Sequence, residues 1–324
     1  MAGSGSAAVA ASPKAIGRSS SGEFSGLLWR GGFAASFAWA AASAVTLFWP
    51  DIEDWGYTQE FGHFLAAFAV LLFVLGLAGR RLGPLYPRLS RGGAWIVALA
   101  AGILVWEIVT IKTGWLPKPF FVAPQELFGV YLDDWQRLTS CLVHSTLLLV
   151  TGYVIGGAIG FATGVALGWS KAAAYWGHPI LRLIGPLPAT AWLPIAFFIF
   201  PTSWSAAVFL VALAAGIPVA ILTWSGVSSV ASAYYDIART LGGGPRFLVL
   251  KVAIPAAMPN VFVGLFMGLC SAFAVLVVAE MMGVKAGLGW YMSWAQGWAA
   301  YGSMYAALAV LAIMCSGLVM VLFR

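Results

Sequence analysis

Residues able to do chemistry are few in this chain, and their spacing is uninviting. Three histidines (His63, His144, His178) and three cysteines (Cys141, Cys270, Cys315) lie far apart. There is no CxxC pair and no even cysteine framework, so neither a disulfide scaffold nor a zinc site is suggested. No HExxH or GxSxG is present, and no two acids form a plausible catalytic arrangement. A Walker-type phosphate cradle is also absent, since the chain lacks even a Gly-Lys dipeptide. The expectation is a protein with no catalytic residue, no metal site and no cofactor of its own.

Two acids draw attention by position instead. Glu280, in VVAEMMGVKAGLGW, and Glu107 both fall inside long apolar runs. An ionisable group within such a run is a functional hypothesis by default. Each also has a lysine five residues on, Lys285 and Lys112, so interfacial pairing stays open for both. That spacing is poor for helical neighbours, which meet at three or four residues. His144, next to Ser145, is open to either a packing or a substrate role. Pro186, Pro188 and Pro194 crowd RLIGPLPATAWLPIAFF, where proline must kink or break a helix. Irregular backbone at membrane depth is tolerated only where it is buried or lines a water-filled cavity. Thr190 and Trp192 follow that kink. The candidates for lining a polar path through these apolar runs are His144, Pro186, Pro188, Thr190, Trp192 and Glu280.

The elements that must position these groups follow from composition. Of 324 residues, 61% are hydrophobic and 9% charged. Soluble domains carry roughly 25% charged residues, so an ordinary cytosolic enzyme, a disordered chain and a nucleic-acid binder are excluded. An all-α, polytopic membrane helix bundle remains, because lipid satisfies no open backbone. Eight apolar stretches are expected to span: 33–49, 61–79, 94–112, 139–168, 180–200, 204–224, 257–283 and 301–323. Gly152, Gly156, Gly160, Gly164 and Gly168 recur every four residues in the fourth, a stripe suited to close helix packing. Trp290, Trp294 and Trp298 suggest an aromatic belt near the outer boundary.

Charge sets the orientation. With the N-terminus inside, 13 of the 17 basic residues fall in cytosolic segments, and both termini are cytosolic. Residues 1–32, rich in Ser, Gly and Ala, read as a disordered cytosolic tail. The basic loop at 80–93 reads as a boundary between a two-span addition, 33–93, and a six-span core, 94–324.

The most specific stretch is the loop 225–256. It is long for a connection and reads as helix, glycine turn, helix: Ser232 to cap, Gly242, Gly243 and Gly244 to stop, and Pro245 to restart. The second helix is expected to end before Pro255. Asp236-Ile237-Ala238, three residues, Gly242, nine residues, Val252, one residue, Ile254-Pro255 resembles the cytoplasmic signature of permease subunits of bacterial ABC importers, with every spacing kept. Asp stands for the family's Glu, and Ile237 for its first Ala. The stripe, the prolines and the Ala-Glu before Gly-Leu-Gly are similar to the nitrate, sulfonate and taurine branch of that family.

The resemblance implies a type I importer core in the cytoplasmic (inner) membrane, working by alternating access on a small anion. It implies Tyr235, Asp236, Ala238, Arg239, Gly242 and Pro255 as the residues coupling to the ATPase. It also implies partners: cytosolic ATPase subunits carrying ATP and Mg, a second permease copy, a periplasmic or lipid-anchored substrate-binding protein, and membrane lipid, with no nucleic acid. An ATP-independent secondary transporter or channel is the alternative. It would favour more intramembrane charge than Glu107 and Glu280 supply.

Overall fold

The computed structural model describes residues 29–53, 55–116 and 118–323. Most of the expected tail, 1–28, lies outside the described residues. Its last four residues are ordered, with Trp29 buried and a helix starting at Arg30. Among the described residues every regular element is helical. Seven helices are long and apolar enough to cross a membrane, and an eighth candidate is a pair bent by 89°.

The chain divides into two compact units, Met1–Trp115 and Leu116–Arg324. The division falls after the third span rather than at the basic loop. In the first unit, α1 (Arg30–Phe48) packs against α2 (Thr58–Ala78) and α3 (Tyr86–Glu107). Small residues allow the approach: a Cβ on Gly32 would lie 3.0 Å from the Gly76 Cα. Hydroxyls fasten it, with Ser36 Oγ donating to the Ala69 carbonyl at 2.8 Å and Ser43 Oγ to Gly62 at 2.9 Å.

The end of α3 resolves the awkward spacing of Glu107 and Lys112. Residues Ile108–Lys112 form a π-helical turn. A π turn bonds i to i+5, so two residues five apart share one face. Lys112 Nζ lies 3.8 Å from Glu107 Oε1 and also reaches Asp51 and the Trp49 carbonyl. Thr46 Oγ1 donates to Glu107 Oε2 at 2.8 Å. Both Glu107 and Lys112 are fully buried side chains, and a buried charge persists only when paired and hydrogen-bonded.

The second unit holds α4 (Pro124–Asp133), α5 (Trp135–Trp169), α6 (Lys171–Ile184), α7 (Leu193–Ile199), α8 (Ser203–Ser228), α9 (Ser232–Thr240), α10 (Ile254–Met282), α11 (Leu288–Gly297) and α12 (Tyr301–Leu322). Its centre is the packing of α5 and α10 on α8. All five stripe glycines face α8. A Cβ on Gly152 would sit 2.6 Å from Val211 Cγ1, one on Gly164 2.6 Å from the Ala220 carbonyl, and one on Gly168 2.6 Å from Val227 Cβ. Gly156 and Gly160 lie directly on the backbone of Ala212 and Gly216. With no hydrophobic drive between helices in lipid, this backbone proximity supplies the van der Waals contact.

The stretch expected as one kinked span, 180–200, is not one helix. α6 ends at Ile184, Gly185–Pro188 is non-helical, and a 3₁₀ turn (Ala189–Trp192) leads into α7. Two prolines two residues apart remove two donors from the ladder. Gly185 keeps α-type dihedrals as the cap of α6, and the chain is extended by Pro188, at φ −62° and ψ 134°. Pro194 does no such damage, because it sits in the first turn of α7, where no intrahelical donor is needed.

Candidate functional site

The loop 225–256 is built around one left-handed residue. α9 starts at Ser232 with Ala231 as its cap position, and no side chain caps it, so Ser232 is the first helical residue rather than the cap. Its end follows the expected glycine turn. Gly242 takes φ +84°, the Gly242 N–H donates to the Arg239 carbonyl at 2.9 Å, and the Gly243 N–H to Ala238 at 2.8 Å. Those two bonds form a Schellman motif, whose left-handed position favours glycine. Pro245 then opens a helical turn as its first residue. That turn does not end before Pro255. It runs through a π segment, Leu248–Ala253, straight into α10, and Pro255 sits exposed in the first turn of α10. π turns commonly relieve a break in the i to i−4 ladder, here beside a residue with no N–H.

α9 has two distinct faces. Tyr235 and Ala238 turn inward, Tyr235 meeting Trp169 edge-on at 5.8 Å and packing on the small cluster of Val227, Ala253 and Ala257. Tyr234, Ile237 and Leu241, spaced at three and four residues, are 62%, 60% and 83% exposed. With Phe247 and the glycine turn they line a groove of about 330 Å³. Asp236 and Arg239 form an exposed ion pair at 3.3 Å. Such pairs contribute about 0–1 kcal/mol, so their charges remain available to a partner. Of the six residues assigned to this loop, Asp236, Arg239, Gly242 and Pro255 are exposed, whereas Ala238 is buried and Tyr235 half-buried.

Glu280 occupies a second site, inside the core. Its side chain is fully buried. Its Oε2 accepts from Ser145 Oγ at 2.9 Å and from the Gly289 N–H at 2.8 Å, and Ser145 Oγ in turn accepts from the Leu288 N–H at 2.8 Å. Oε1 has no hydrogen-bond partner. Gly287, at φ +109°, brings the start of α11 so close that any Cβ there would collide with the Glu280 carboxylate. One side chain thus clasps α5, α10 and α11 together. Lys285 is exposed and plays no part. The clasp is extended by Tyr291, whose hydroxyl donates to Asp134 Oδ2 at 2.8 Å. Burial pushes that hydroxyl up to about 12, so it stays a donor at neutral pH.

Of the other expected path residues, His144 acts on the Glu280 charge through space, and the rest are not gathered around it. His144 is exposed beside Ser145, with Nδ1 2.8 Å from the Ser140 carbonyl. Pro188 is exposed in the bend, Thr190 is half-buried, and Trp192 packs against the main core. Pro186 lines a small cavity with His178, Arg182 and Trp224. The role of Ser145 escaped sequence reasoning because its partners lie more than 130 residues away. The Gly-Leu-Gly after Glu280 was the available signal, since glycines there permit the close return of backbone onto the acid.

Comparison with known proteins bears on the same residues. The family model "Binding-protein-dependent transport system inner membrane component" matches residues 152–324. A nitrate import permease of Synechococcus elongatus is 26% identical over 205 residues, covering 60% of this chain and 74% of that protein. A putative aliphatic sulfonates transport permease of Bacillus subtilis is 29% identical over 193 residues, covering 56% and 66%. The taurine transport system permease of Escherichia coli is 29% identical over 249 residues, covering 73% and 88%. The family match takes in the glycine stripe, the loop 225–256 and Glu280 with its α11 partner Gly289, though not Ser145, and the chain belongs to the inner-membrane components of binding-protein-dependent transport systems, as a multi-pass transport subunit.

Proposed function

We propose that this chain is the permease subunit of an ATP-driven ABC importer for a small anion of the nitrate, sulfonate or taurine type. The observation that carries the reading is α9: a short helix, held by a Schellman turn, presenting Tyr234, Ile237 and Leu241 outward. An amphipathic helix laid in a groove is a recurring mode of protein recognition, and a cytosolic ATPase is the partner this loop fits. The cargo class rests on the nitrate, sulfonate and taurine relatives.

The rest of the assembly follows from the family. Two permease copies pair in the inner membrane with their termini in the cytosol. ATP and Mg bind in the ATPase subunits, and a substrate-binding protein delivers the anion from outside. Closure of the ATPases pulls α9 through the groove contact and Asp236. Gly242 keeps the turn rigid, and the displacement passes through the continuous Pro245–Met282 helix into the core. Glu280 lies near the far end of that helix, where its clasp gates the outward side of the path. Two ligands shift such an equilibrium only by binding its two states differently.

The test is co-purification in detergent with a candidate ABC ATPase from the same organism, followed by ATP hydrolysis. Wild type is expected to hold the ATPase. Asp236→Lys with Gly242→Val is expected to lose it while still inserting and eluting as one species. A wild-type chain that is folded and yet holds no cognate ATPase would overturn the reading in favour of an ATP-independent transporter.

A further inference from the structure

The second unit contains a cleft that the transport reading does not use. It runs beside the glycine stripe, between α5 and α8, with a volume of about 550 Å³. Its lining is apolar apart from hydroxyls such as Thr151 and Ser205, which are spent on their own helix turns, donating to the Leu147 and Thr202 carbonyls. Along α8 it extends from Trp204 to Ala220, about 24 Å at a rise of 1.5 Å per residue. None of the expected path residues lines it.

At one end the cleft meets a second cavity, of about 370 Å³, with Leu181 lining both. This end is basic. Arg182 lines it and has no acidic partner among the described residues. His178 stands one turn earlier, its ring tilted at 57° against Trp224 with centroids 4.2 Å apart, and its Nε2 is buried and unpartnered. No Asp or Glu occurs between Trp135 and Tyr235. The cation therefore faces a region of its own chain that supplies no counter-ion.

The helix carrying these two residues is itself interfacial in character. α6 buries none of its residues, and Trp176, Ile180 and Leu183 are 73%, 55% and 72% exposed. It lies at 89° to the segment that follows. It sits at the Ile221–Trp224 end of α8, the end that leads into the loop carrying α9. An apolar groove at membrane depth, opening on an unpaired arginine and an unsatisfied histidine at an interfacial helix, has the chemistry of a phospholipid site: basic pockets between spans bind anionic headgroups.

From this geometry we propose that the α5–α8 cleft binds an anionic phospholipid. Its phosphate sits at Arg182 and His178, and one acyl chain runs along α8 toward Trp204. The inference requires membrane insertion only, so it stands or falls separately from ATP coupling.

The experiment uses the full chain, delipidated in detergent and examined by native mass spectrometry during titration with phosphatidylglycerol or phosphatidylcholine. Wild type is expected to retain phosphatidylglycerol preferentially. Arg182→Gln is expected to weaken that retention about fivefold, the worth of one cation near an anionic headgroup, and Arg182→Lys to restore it. A phosphatidylglycerol bearing a diazirine in its tail is expected to label segments 151–163 and 204–220. Equal retention of the two lipids, unchanged retention in a monodisperse Arg182→Gln, or tail labelling elsewhere would overturn the proposal. Displacement by millimolar glycerophosphate alone would reduce the site to an anion site. A disulfide formed between two copies through Ser205→Cys would instead assign the cleft to a second copy of the chain.

Discussion

Glu107 in the first unit and Glu280 in the second are both buried within spans, and they are neutralised by different means. Glu107 has a cation, Lys112, on the same face of a π turn, with Asp51 completing a charged cluster and Thr46 donating to the free oxygen. Glu280 has no salt-bridged cation, and the basic group that acts on it through space is the exposed imidazole of His144. It holds one hydroxyl and one backbone N–H on a single oxygen, and its other oxygen is unpartnered. A paired cluster resists separation, because removing either partner strands a charge in the interior. A carboxylate held by two neutral donors, with one oxygen unsatisfied, loses less when the elements it joins move apart. The first arrangement suits a fixed brace, and the second suits a joint that opens.

The contrast is open to direct attack. Lys112→Met strands Glu107 and should destabilise the first unit by about 3–5 kcal/mol, seen as a large drop in the thermal midpoint of the detergent-purified chain. Adding Glu107→Gln should recover much of that drop. Ser145→Ala removes both a donor to Glu280 and the acceptor of the Leu288 N–H, and should cost about 1.5–3 kcal/mol by the same measurement. Glu280→Gln keeps one acceptor oxygen for Ser145 and Gly289, and should cost about 1 kcal/mol or less. If it destabilises as much as Lys112→Met, Glu280 is a brace as well. Leu241→Asp, on the exposed face of α9, should leave stability within about 0.5 kcal/mol while abolishing co-purification of the ATPase. A variant that loses stability and keeps the ATPase would show that α9 packs inward.

Gly242 and Gly287 show how unevenly the sites could be read in advance. Gly242 sits in a local pattern: a short helix, three glycines and a proline within a few residues. The forces that shape it act over four or five residues, so spacing alone located the turn. Gly287 is needed for a reason no window contains, namely the approach of α11 to Glu280 and of both to Ser145. The spans were legible for the same local reason, since hydrophobic length is a property of consecutive residues. The prolines of 180–200 announced a break, but its 89° angle depends on what α6 and α7 pack against.

Read from its residues alone, this chain is a helical membrane bundle with seven of its spans in place and one loop carrying a helix–glycine–helix signature in importer-permease register. Those properties follow from composition, periodicity and short-range backbone chemistry. It took the packed helices to show that Glu107 and Lys112 form a pair, that Glu280 joins three helices through Ser145, and that Tyr235 faces inward while Tyr234 faces out. Such choices turn on which polar groups meet once helices distant in sequence are packed. A buried charge or hydroxyl is satisfied by whatever stands beside it in space, and spacing along the chain does not record that neighbour.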